Sequence, residues 1–314
     1  MKAYITDCDH ESLDIEKDVF SKTSIDLEIL NITKPNDIIH HCRDADVLIL
    51  QYAEITEDVL NTLDNLKGVV RYGVGVNTID ISAATKKGIA VCNVPDYGTE
   101  EVSTHALALI LALARKLPLL TQATRQGIWR YDAAIPLYRL QTQTVGIIGL
   151  GRIGVSLSQK LAGIGMKVIG YDPNKKSTDL PAFIKSVSLN TLLQTSDIIS
   201  VNSPLLPETN NLLTKNEFSL MKQHALVVNT ARGDIINEDD LFDALKNNVI
   251  AGAALDVFSQ EPPKESRLLT LDNFIATPHI AWYSEESQQD LKRKAAEEAI
   301  RIVLGESPHY CLNR

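Results

Sequence analysis

The stretch from Thr144 to Asp172 constrains the fold of this chain more than any other part of its sequence. It opens with an apolar run at 145–148, whose length and branched side chains are typical of a buried strand. Three glycines then follow with the spacing G-x-G-x-x-G: Gly149, Gly151 and Gly154. An apolar-periodic helix is predicted to reach about residue 162, and a second strand at 167–171 leads into Asp172. This order of elements predicts an α/β unit built on parallel strands.

Each glycine of the motif has a separate physical role in a dinucleotide-binding site. The first allows the tight turn, the second lets the backbone approach a pyrophosphate, and the third lets helix and strand pack closely. N–H groups in the first turn of the helix would hold the phosphate charge. Asp172 follows Gly151 by about 20 residues, where a carboxylate can accept hydrogen bonds from both hydroxyls of an adenosine ribose. Because an anionic Asp172 repels a 2′-phosphate, the motif predicts NAD and not NADP.

The composition argues against several other classes of protein. With 314 residues the chain has room for about two domains and a large core. Its net charge is −9 and it has no extended basic run, so we expect neither nucleic acid nor an anionic membrane as a partner. The start of the chain turns polar too soon for a secretory signal, and the apolar stretch at 106–114 is too short to span a bilayer. Four scattered cysteines predict reduced thiols in a cytoplasmic protein and no metal site.

Strand and helix candidates alternate along the rest of the chain. Residues 1–98 contain five short apolar strand candidates with helical stretches between them, and a similar series runs from 144 to 277. Such alternation predicts parallel sheets with helices on both faces. A long helix at 100–116 opens the second series, and a helix at 285–304 can return to complete the first. The predicted fold class is therefore α/β, with two doubly wound parallel-sheet domains.

Three polar residues follow late strands of the second series, at the edge where an open parallel sheet binds its ligands. They are Arg232 in NTARGD, Glu261 in DVFSQEPP and His279 in TPHIAWYS. Hydride transfer to a ketone needs a proton donor for the developing alkoxide, and histidine suits this role. A carboxylate beside it would stabilise the imidazolium, and an arginine offers a fork to a substrate carboxylate. Each residue alone also fits a surface ion pair, a solvated loop acid or a helix cap. The three beside one cofactor indicate a dehydrogenase.

Several segments of the chain resemble the D-isomer-specific 2-hydroxyacid dehydrogenase family. They are RYGVGVNTID (71–80), GIAVCNVP (88–95), TVGIIGLGRIG (144–154), PLLPET (204–209), NTARGDIINEDDL (229–241), AALDVFSQEPP (253–263) and TPHIAWYS (277–284). The resemblance covers nearly the whole chain from about residue 47 onward. It implies a flavodoxin-like substrate domain, residues 1–99 and 285–314, and a Rossmann NAD domain, residues 100–284. CNVPDYGTEEV (92–102) and Trp282 resemble the branch of the C-terminal binding proteins and the phosphoglycerate dehydrogenases.

The resemblance also implies roles for individual residues. His279 would be the acid/base, Glu261 its partner and Arg232 the group that orients the substrate. The backbone N–H groups that would hold the substrate carboxylate belong to Gly73, Val74 and Gly75. Besides the three glycines and Asp172, the residues that would contact NAD are Arg152, Ile153, Thr209, Thr230 and Asp256. A homodimer joined through the NAD domains, partly by the 100–116 helix, is implied as well.

Two functions of different classes agree with these residues. The first is an enzyme that interconverts a 2-oxo acid and a D-2-hydroxy acid with NADH and NAD, with D-3-phosphoglycerate dehydrogenase as a specific alternative. The second is a dinucleotide-sensing interaction protein, like the corepressors of the C-terminal binding protein branch. The compact chain without a disordered extension favours the enzyme. Formate oxidation has little support, since its substrate motifs are missing.

Recognition of the end of the substrate that is remote from its carboxylate depends on two further residues. Trp282, three residues beyond His279, offers a flat apolar wall, although it could instead serve to pack the domains. Arg71, just before the glycine turn, could strengthen the grip on the carboxylate or receive a substrate phosphate. One arginine beside a tryptophan favours medium-sized 2-oxo acids such as 4-methylthio-2-oxobutyrate. The alternative is 3-phosphohydroxypyruvate.

Overall fold

The computed structural model describes residues 1–313, which divide into two units. The first unit consists of residues 1–98 together with the chain from residue 284 onward, and the second of residues 99–283. Both boundaries lie one residue from those that the resemblance suggested.

Five parallel strands form the sheet of the first unit, in the order β2-β1-β3-β4-β5. Its elements before the second unit are β1 (Lys2–Ile5), α1 (Asp14–Ser21), β2 (Asp26–Ile29), α2 (Pro35–His41), β3 (Val47–Leu50), α3 (Glu57–Thr62), β4 (Gly68–Arg71), α4 (Ile81–Lys86) and β5 (Ala90–Cys92). The central strand β3 has the sequence VLIL and is buried at every position. A continuous apolar run is what a parallel strand covered on both faces requires.

Seven parallel strands form the sheet of the second unit, in the order β12-β11-β10-β9-β6-β7-β8. Its elements are α5 (Thr99–Ala114), α6 (Leu117–Arg125), β6 (Thr144–Ile148), α7 (Arg152–Gly163), β7 (Lys167–Tyr171), β8 (Ile184–Ser186), α8 (Leu189–Thr195), β9 (Ile198–Val201), α9 (Lys215–Leu220), β10 (Leu226–Asn229), α10 (Glu238–Lys246), β11 (Gly252–Leu255) and β12 (Phe274–Ala276). Short 3-10 turns lie at Asp132–Ala134, Leu140–Thr142, Ser177–Asp179, Gly233–Ile235 and Arg267–Thr270. The direction of winding reverses between β6 and β9, which is where such sheets bind ligands.

The chain then returns to the first unit as α11 (Glu285–Leu304), which packs on α1, β3 and β4. Ser284 caps this helix by accepting a hydrogen bond from the N–H of Ser287 at 2.9 Å. The two parallel sheets confirm the predicted fold class, and the returning helix was also predicted. The strand β8 was not predicted, because it is short and two of its three residues are exposed.

Membrane-spanning potential is limited to one combination of helices in the described chain. No single helix within residues 1–313 is long and apolar enough to cross a bilayer, although α5 and α6 together, bent by 59°, reach the required length and composition.

Candidate active site

The glycine turn after β6 has the close packing that its sequence predicts. Gly149 has a φ of +90°, a conformation that favours glycine. A Cβ atom at Gly154 would overlap the carbonyl oxygen of Gly149, so helix α7 can start this close to the turn only with glycine there. At Gly151, by contrast, a Cβ atom would meet nothing within 4 Å. The turn is therefore closely packed at Gly149 and Gly154, whereas there is open space at Gly151, which we call its tip.

The open tip carries donors suited to an anion. Helix α7 starts at Arg152, and the N–H groups of Arg152 and Ile153 have no acceptor within residues 1–313. Such N–H groups and the helix dipole favour a phosphate at this point. The carboxylate of Asp172 is fixed beside the turn, since it accepts hydrogen bonds from the N–H groups of Leu150 and Asn174, each at 2.9 Å. This geometry suits a pyrophosphate at the helix and a ribose at Asp172.

Further polar atoms line the same edge of the sheet. Asn202 and Ser203 follow β9, and Thr230 follows β10. Asn202 Oδ1, Ser203 Oγ and Thr230 Oγ1 are buried and have no hydrogen-bond partner in the described part of the chain. The backbone of Asn202 and Ser203 also lies against Gly149. Buried polar atoms are costly without partners, so this edge fits a polar ligand such as a dinucleotide.

Thr209 differs from the other predicted cofactor residues. Its hydroxyl donates to the carbonyl oxygen of Pro204 at 2.7 Å and accepts from the N–H of Leu206, also at 2.7 Å. The hydroxyl therefore stabilises its own loop. A cofactor contact of Thr209 stays a prediction.

His279 and Glu261 form the contact that the sequence predicts. Nδ1 of His279 lies 2.7 Å from Oε2 of Glu261. An ionised carboxylate only accepts, so Nδ1 carries the hydrogen and Nε2 remains for proton exchange. Burial alone would raise the pKa of Glu261, but the hydrogen bonds from His279 and the N–H of Phe258 outweigh it. Together with the positive charges of His279 and Arg232, they lower the pKa of this carboxyl group.

Asp256 positions His279. The backbone of His279 has a φ of +51°, which is unusual for a residue with a side chain. Its N–H donates to the backbone oxygen of Asp256 at 2.8 Å. The buried carboxylate of Asp256 accepts from the N–H groups of Ile280 and Ala281 and from the hydroxyl of Thr277, at 3.0, 2.9 and 2.6 Å. In the structure, therefore, Asp256 holds the loop of the histidine.

His105 extends this network from helix α5. Its Nε2 lies 3.1 Å from Oγ1 of Thr277 and 3.7 Å from Oδ1 of Asp256. Both contacts of His105 are with the loop that carries His279 or with the carboxylate that holds this loop.

Arg232 lies on a loop that the side chain of Asn229 closes. Asn229 is fully buried; its Nδ2 donates to the backbone oxygen of Arg232 at 2.8 Å and its Oδ1 accepts from the N–H of Ala231 at 2.9 Å. Nη1 of Arg232 donates to the oxygen of Ala231 at 2.6 Å. At Gly233 a Cβ atom would overlap the backbone of Phe258, so the loops of Arg232 and Glu261 touch directly. The roles of Asn229 and Gly233 could not be predicted from the sequence, because their partners are set by folding.

In the first unit, the predicted carboxylate-binding loop follows β4. The N–H groups of Gly73, Val74 and Gly75 have no acceptor among residues 1–313. The loop is held instead by its oxygens: Gly73 accepts from the N–H of Val94 at 3.0 Å, and Val74 accepts from Nδ2 of Asn93 at 2.7 Å. This arrangement leaves the three donors for an anion.

Arg71 lies over this loop. Its Nε donates to the backbone oxygen of Gln51 at 3.3 Å, and its Nη1 covers the α-carbon of Gly73 so closely that a Cβ atom would not fit. Trp282, in the second unit, is half-buried and stacks edge-on against Tyr283, with ring centroids 5.6 Å apart. Substrate contacts of both residues stay predictions.

A buried pair beside the Gly73–Gly75 loop, formed by Tyr72 and Glu16, was not predicted from the sequence. The hydroxyl of Tyr72, the residue before Gly73, donates to Oε1 of Glu16 at 3.0 Å. Burial raises the pKa of Glu16, although the Tyr72 hydrogen bond and the charge of Lys292 oppose the shift. Since helix α1 and strand β4 are far apart in sequence, no local pattern could have indicated the pair.

The comparison with known families gives the class of the protein. The family described as D-isomer specific 2-hydroxyacid dehydrogenase, NAD binding domain, matches residues 107–281. The chain belongs to the D-isomer-specific 2-hydroxyacid dehydrogenase family. Its second unit contains the NAD-binding domain of that family, and NAD is the cofactor.

Three known proteins illustrate how similar this chain is to its relatives. The D-3-phosphoglycerate dehydrogenase of Methanocaldococcus jannaschii is 38% identical over 293 residues, which are 92% of this chain and 55% of that enzyme. The hydroxypyruvate reductase of Thermotoga maritima is 38% identical over 250 residues, 78% of this chain and 81% of the relative. An acyclic imino acid reductase solved with NADPH and D-Arg superposes with a TM-score of 0.90 at 27% identity, over 99% of this chain and 100% of that chain. The chain thus spans about half the length of the phosphoglycerate dehydrogenases that it matches.

The contact between the loops of Arg232 and Glu261 can be tested at Gly233. We expect Gly233→Ala to lower the free energy of unfolding by about 1–3 kcal/mol, because the added methyl group overlaps the backbone of Phe258. Gly163→Ala is the matched control: at this last residue of α7 a Cβ atom meets nothing within 4 Å, so the change should be neutral or slightly stabilising. Urea denaturation of both variants measures the difference, and equal effects would contradict the contact.

Proposed function

We propose that this protein is an NAD-dependent D-2-hydroxyacid dehydrogenase that reduces small to medium-sized 2-oxo acids. The observation that carries the proposal is the contact of 2.7 Å between His279 and Glu261, beside a sheet edge suited to a dinucleotide. Membership of the family and the similarity to the hydroxypyruvate reductase of T. maritima support it. We further propose that it acts in the cytoplasm.

The proposed chemistry divides among three groups of the second unit. NADH supplies the hydride. His279 donates a proton from Nε2 to the oxygen of the ketone, while Glu261 stabilises the imidazolium through Nδ1. Arg232 orients the substrate by its guanidinium group. In the first unit, we assign the amides of Gly73, Val74 and Gly75 to the substrate carboxylate.

A panel of 2-oxo acids tests the function through the oxidation of NADH. The panel contains pyruvate, glyoxylate, hydroxypyruvate, 4-methylthio-2-oxobutyrate and 3-phosphohydroxypyruvate. We expect turnover with at least one acid, and His279→Gln should slow it by roughly 10²–10⁴-fold while NADH affinity changes little. The absence of turnover with all five acids, with NADH still bound, would favour a dinucleotide-sensing interaction protein instead.

The same panel ranks the substrates. We propose a graded preference for the medium-sized apolar acid over pyruvate, because each buried methylene contributes only about 0.8 kcal/mol. Trp282→Ala should then remove the preference for the medium-sized acid and leave pyruvate turnover nearly unchanged. A higher kcat/KM for 3-phosphohydroxypyruvate than for every apolar acid would support the alternative, in which Arg71 receives a phosphate.

The pH dependence tests the pairing of Glu261 with His279. The lowered pKa of Glu261 keeps its carboxylate ionised at neutral pH, where it favours the protonated imidazole. Glu261→Gln removes this charge and with it the stabilisation of the protonated imidazole. We therefore expect the fall of the reduction rate with rising pH to begin about one pH unit lower. Glu265→Gln, an exposed acid of the same loop, is the control and should leave the profile unchanged. An unmoved profile in the Glu261 variant would rule out the pairing.

Discrimination between cofactors tests Asp172. Charge repulsion of a 2′-phosphate should give a preference for NADH over NADPH of at least about tenfold in kcat/KM, or about 1.4 kcal/mol. Asp172→Ala should reduce this preference, mainly by weakening the binding of NADH. Asp179→Asn, which alters an exposed acid after β7, should not change it. Equal kcat/KM for both cofactors in the unmodified protein would show that Asp172 has no such role.

We also propose a homodimer that forms through the second unit. The chain between α6 and β6 exposes an unusual group of large apolar side chains: Ile128, Trp129, Tyr131, Ile135 and Tyr138. Trp129 is 86% exposed, and clustered exposure of this kind is typical of interfaces.

The mass of the protein in solution tests this dimer. Light scattering should give twice the chain mass, and Trp129→Glu should weaken the association by at least about tenfold, because buried tryptophans dominate interface energies. Phe183→Glu, at another exposed aromatic residue of the same unit, should remain dimeric. A monomeric unmodified protein, or dimers of both variants, would disprove the proposed interface.

A further inference from the structure

Cys92 and Cys311 lie opposite each other across an antiparallel β-bridge in the first unit. Cys92 is the last residue of β5 and is fully buried, whereas Cys311 is partly exposed. Cys311 belongs to the segment 310–313, which runs beside β5 at the edge of the sheet, on the side opposite β4. Both side chains are thiols.

The hydrogen bonds around the bridge define its geometry. The N–H of Leu312 donates to the oxygen of Val91 at 2.9 Å, so the bond joins the neighbours of the two cysteines. Directly opposed residues of this kind have Cα atoms about 4.5 Å apart and side chains on the same face. Disulfides join Cα atoms that are about 4.4–6.8 Å apart. The backbone is thus already at a distance that a disulfide can span.

The side chain of Asn313 holds this register. Its Oδ1 accepts from the N–H of Val91 at 2.9 Å, and its Nδ2 donates to the oxygen of Ile89 at 2.9 Å. The thiol of Cys311 donates to the same Oδ1 at 3.4 Å. These contacts keep Cys311 opposite Cys92 in the thiol form.

We propose that Cys92 and Cys311 form a reversible disulfide by exchange with a low-molecular-weight disulfide such as glutathione disulfide. The exposed Cys311, as a thiolate, attacks one sulfur of the small disulfide, forms a mixed disulfide and releases one thiol. Cys92, as a thiolate, then attacks the sulfur of Cys311 and releases the second thiol. The protein pair loses two electrons and the small disulfide gains them. The two protons of the cysteines end on the two released thiols.

The residues after Cys92 connect this site to the carboxylate-binding loop. Asn93 and Val94 donate the hydrogen bonds of 2.7 and 3.0 Å that hold the oxygens of Val74 and Gly73. Disulfides most often join Cα atoms about 5.5–6 Å apart, so forming one here pushes Cys92 away from Cys311 and shifts the end of β5. This shift distorts the hydrogen bonds of Asn93 and Val94, and the amides lose their alignment. This effect on catalysis rests on the proposed function, in which the loop holds the substrate carboxylate.

Peptide mapping tests the disulfide without reference to activity. The protein is equilibrated with glutathione and glutathione disulfide at a series of ratios, its remaining thiols are alkylated, and its non-reduced digest is analysed by mass spectrometry. A peptide linking Cys92 to Cys311 should appear in the unmodified protein and in Cys8→Ser, and dithiothreitol should remove it. Cys311→Ser should not form it, and this partly exposed position avoids the risk of altering the buried Cys92. No such link at any ratio, or links through Cys8 or Cys42 in its place, would overturn the proposal.

Kinetics of the two redox forms test the effect on the loop. Oxidation should raise the KM of the 2-oxo acid by roughly two- to tenfold, the effect of weakening about one hydrogen bond, with NADH affinity unchanged. Cys311→Ser should show no response to oxidation. A linked protein with an unchanged KM would overturn the effect on the loop. If the reduced protein turns over no 2-oxo acid, the proposed function fails, whereas the peptide map still decides whether the disulfide forms.

Discussion

The position of His279 depends on the hydrogen bonds that the buried carboxylate of Asp256 accepts. A residue with a side chain in the left-handed region costs of order 1–3 kcal/mol, and His279 adopts this conformation. Asp256 offsets the cost with charge-assisted hydrogen bonds from two successive N–H groups and from Thr277. The loop therefore has one well-defined path after β12. Nδ1 of His279 meets Glu261 along this path, so the pairing of His279 with Glu261 depends on the carboxylate of Asp256.

The parallel sheet explains why the side chains of Arg232, Glu261 and His279 lie near one another. Strands β10, β11 and β12 are neighbours in consecutive order, so their carboxyl ends reach the same edge. Each contributes one group, in the order Arg232, Glu261 and His279. The loops of the first two touch at Gly233, and the charge of Arg232 favours the ionised form of Glu261. The dinucleotide edge, at β6 and β9, belongs to the same sheet. The register of this one sheet thus aligns the dinucleotide edge with Arg232, Glu261 and His279.

The sequence was sufficient for the features that depend on local pattern. The glycine turn, the acid after β7 and the polar residues after three late strands all follow from spacing and from the rule that parallel sheets bind ligands at their carboxyl edge. Residues whose partners are distant in sequence could not be predicted this way. Asn229 and Gly233 act by contacts between loops, and Tyr72 meets Glu16 across 56 positions. The alignment of Cys92 with Cys311 likewise exists only once the segment 310–313 has paired with β5.

The pKa values of two carboxyl groups shift in opposite directions: that of Glu261 in the second unit falls, and that of Glu16 in the first unit rises. At Glu261, burial is outweighed by donors from His279 and Phe258 and by the charges of His279 and Arg232, so the pKa of the carboxyl group falls. At Glu16, burial is the larger effect and the pKa rises, although the backbone N–H of Glu16, the charge of Lys292 and the Tyr72 hydroxyl oppose the shift. Ionising Glu16 therefore costs stability as the pH rises through its pKa in the folded protein. Burial thus determines the direction of the pKa shift at Glu16, whereas hydrogen-bond donors and positive charges determine it at Glu261.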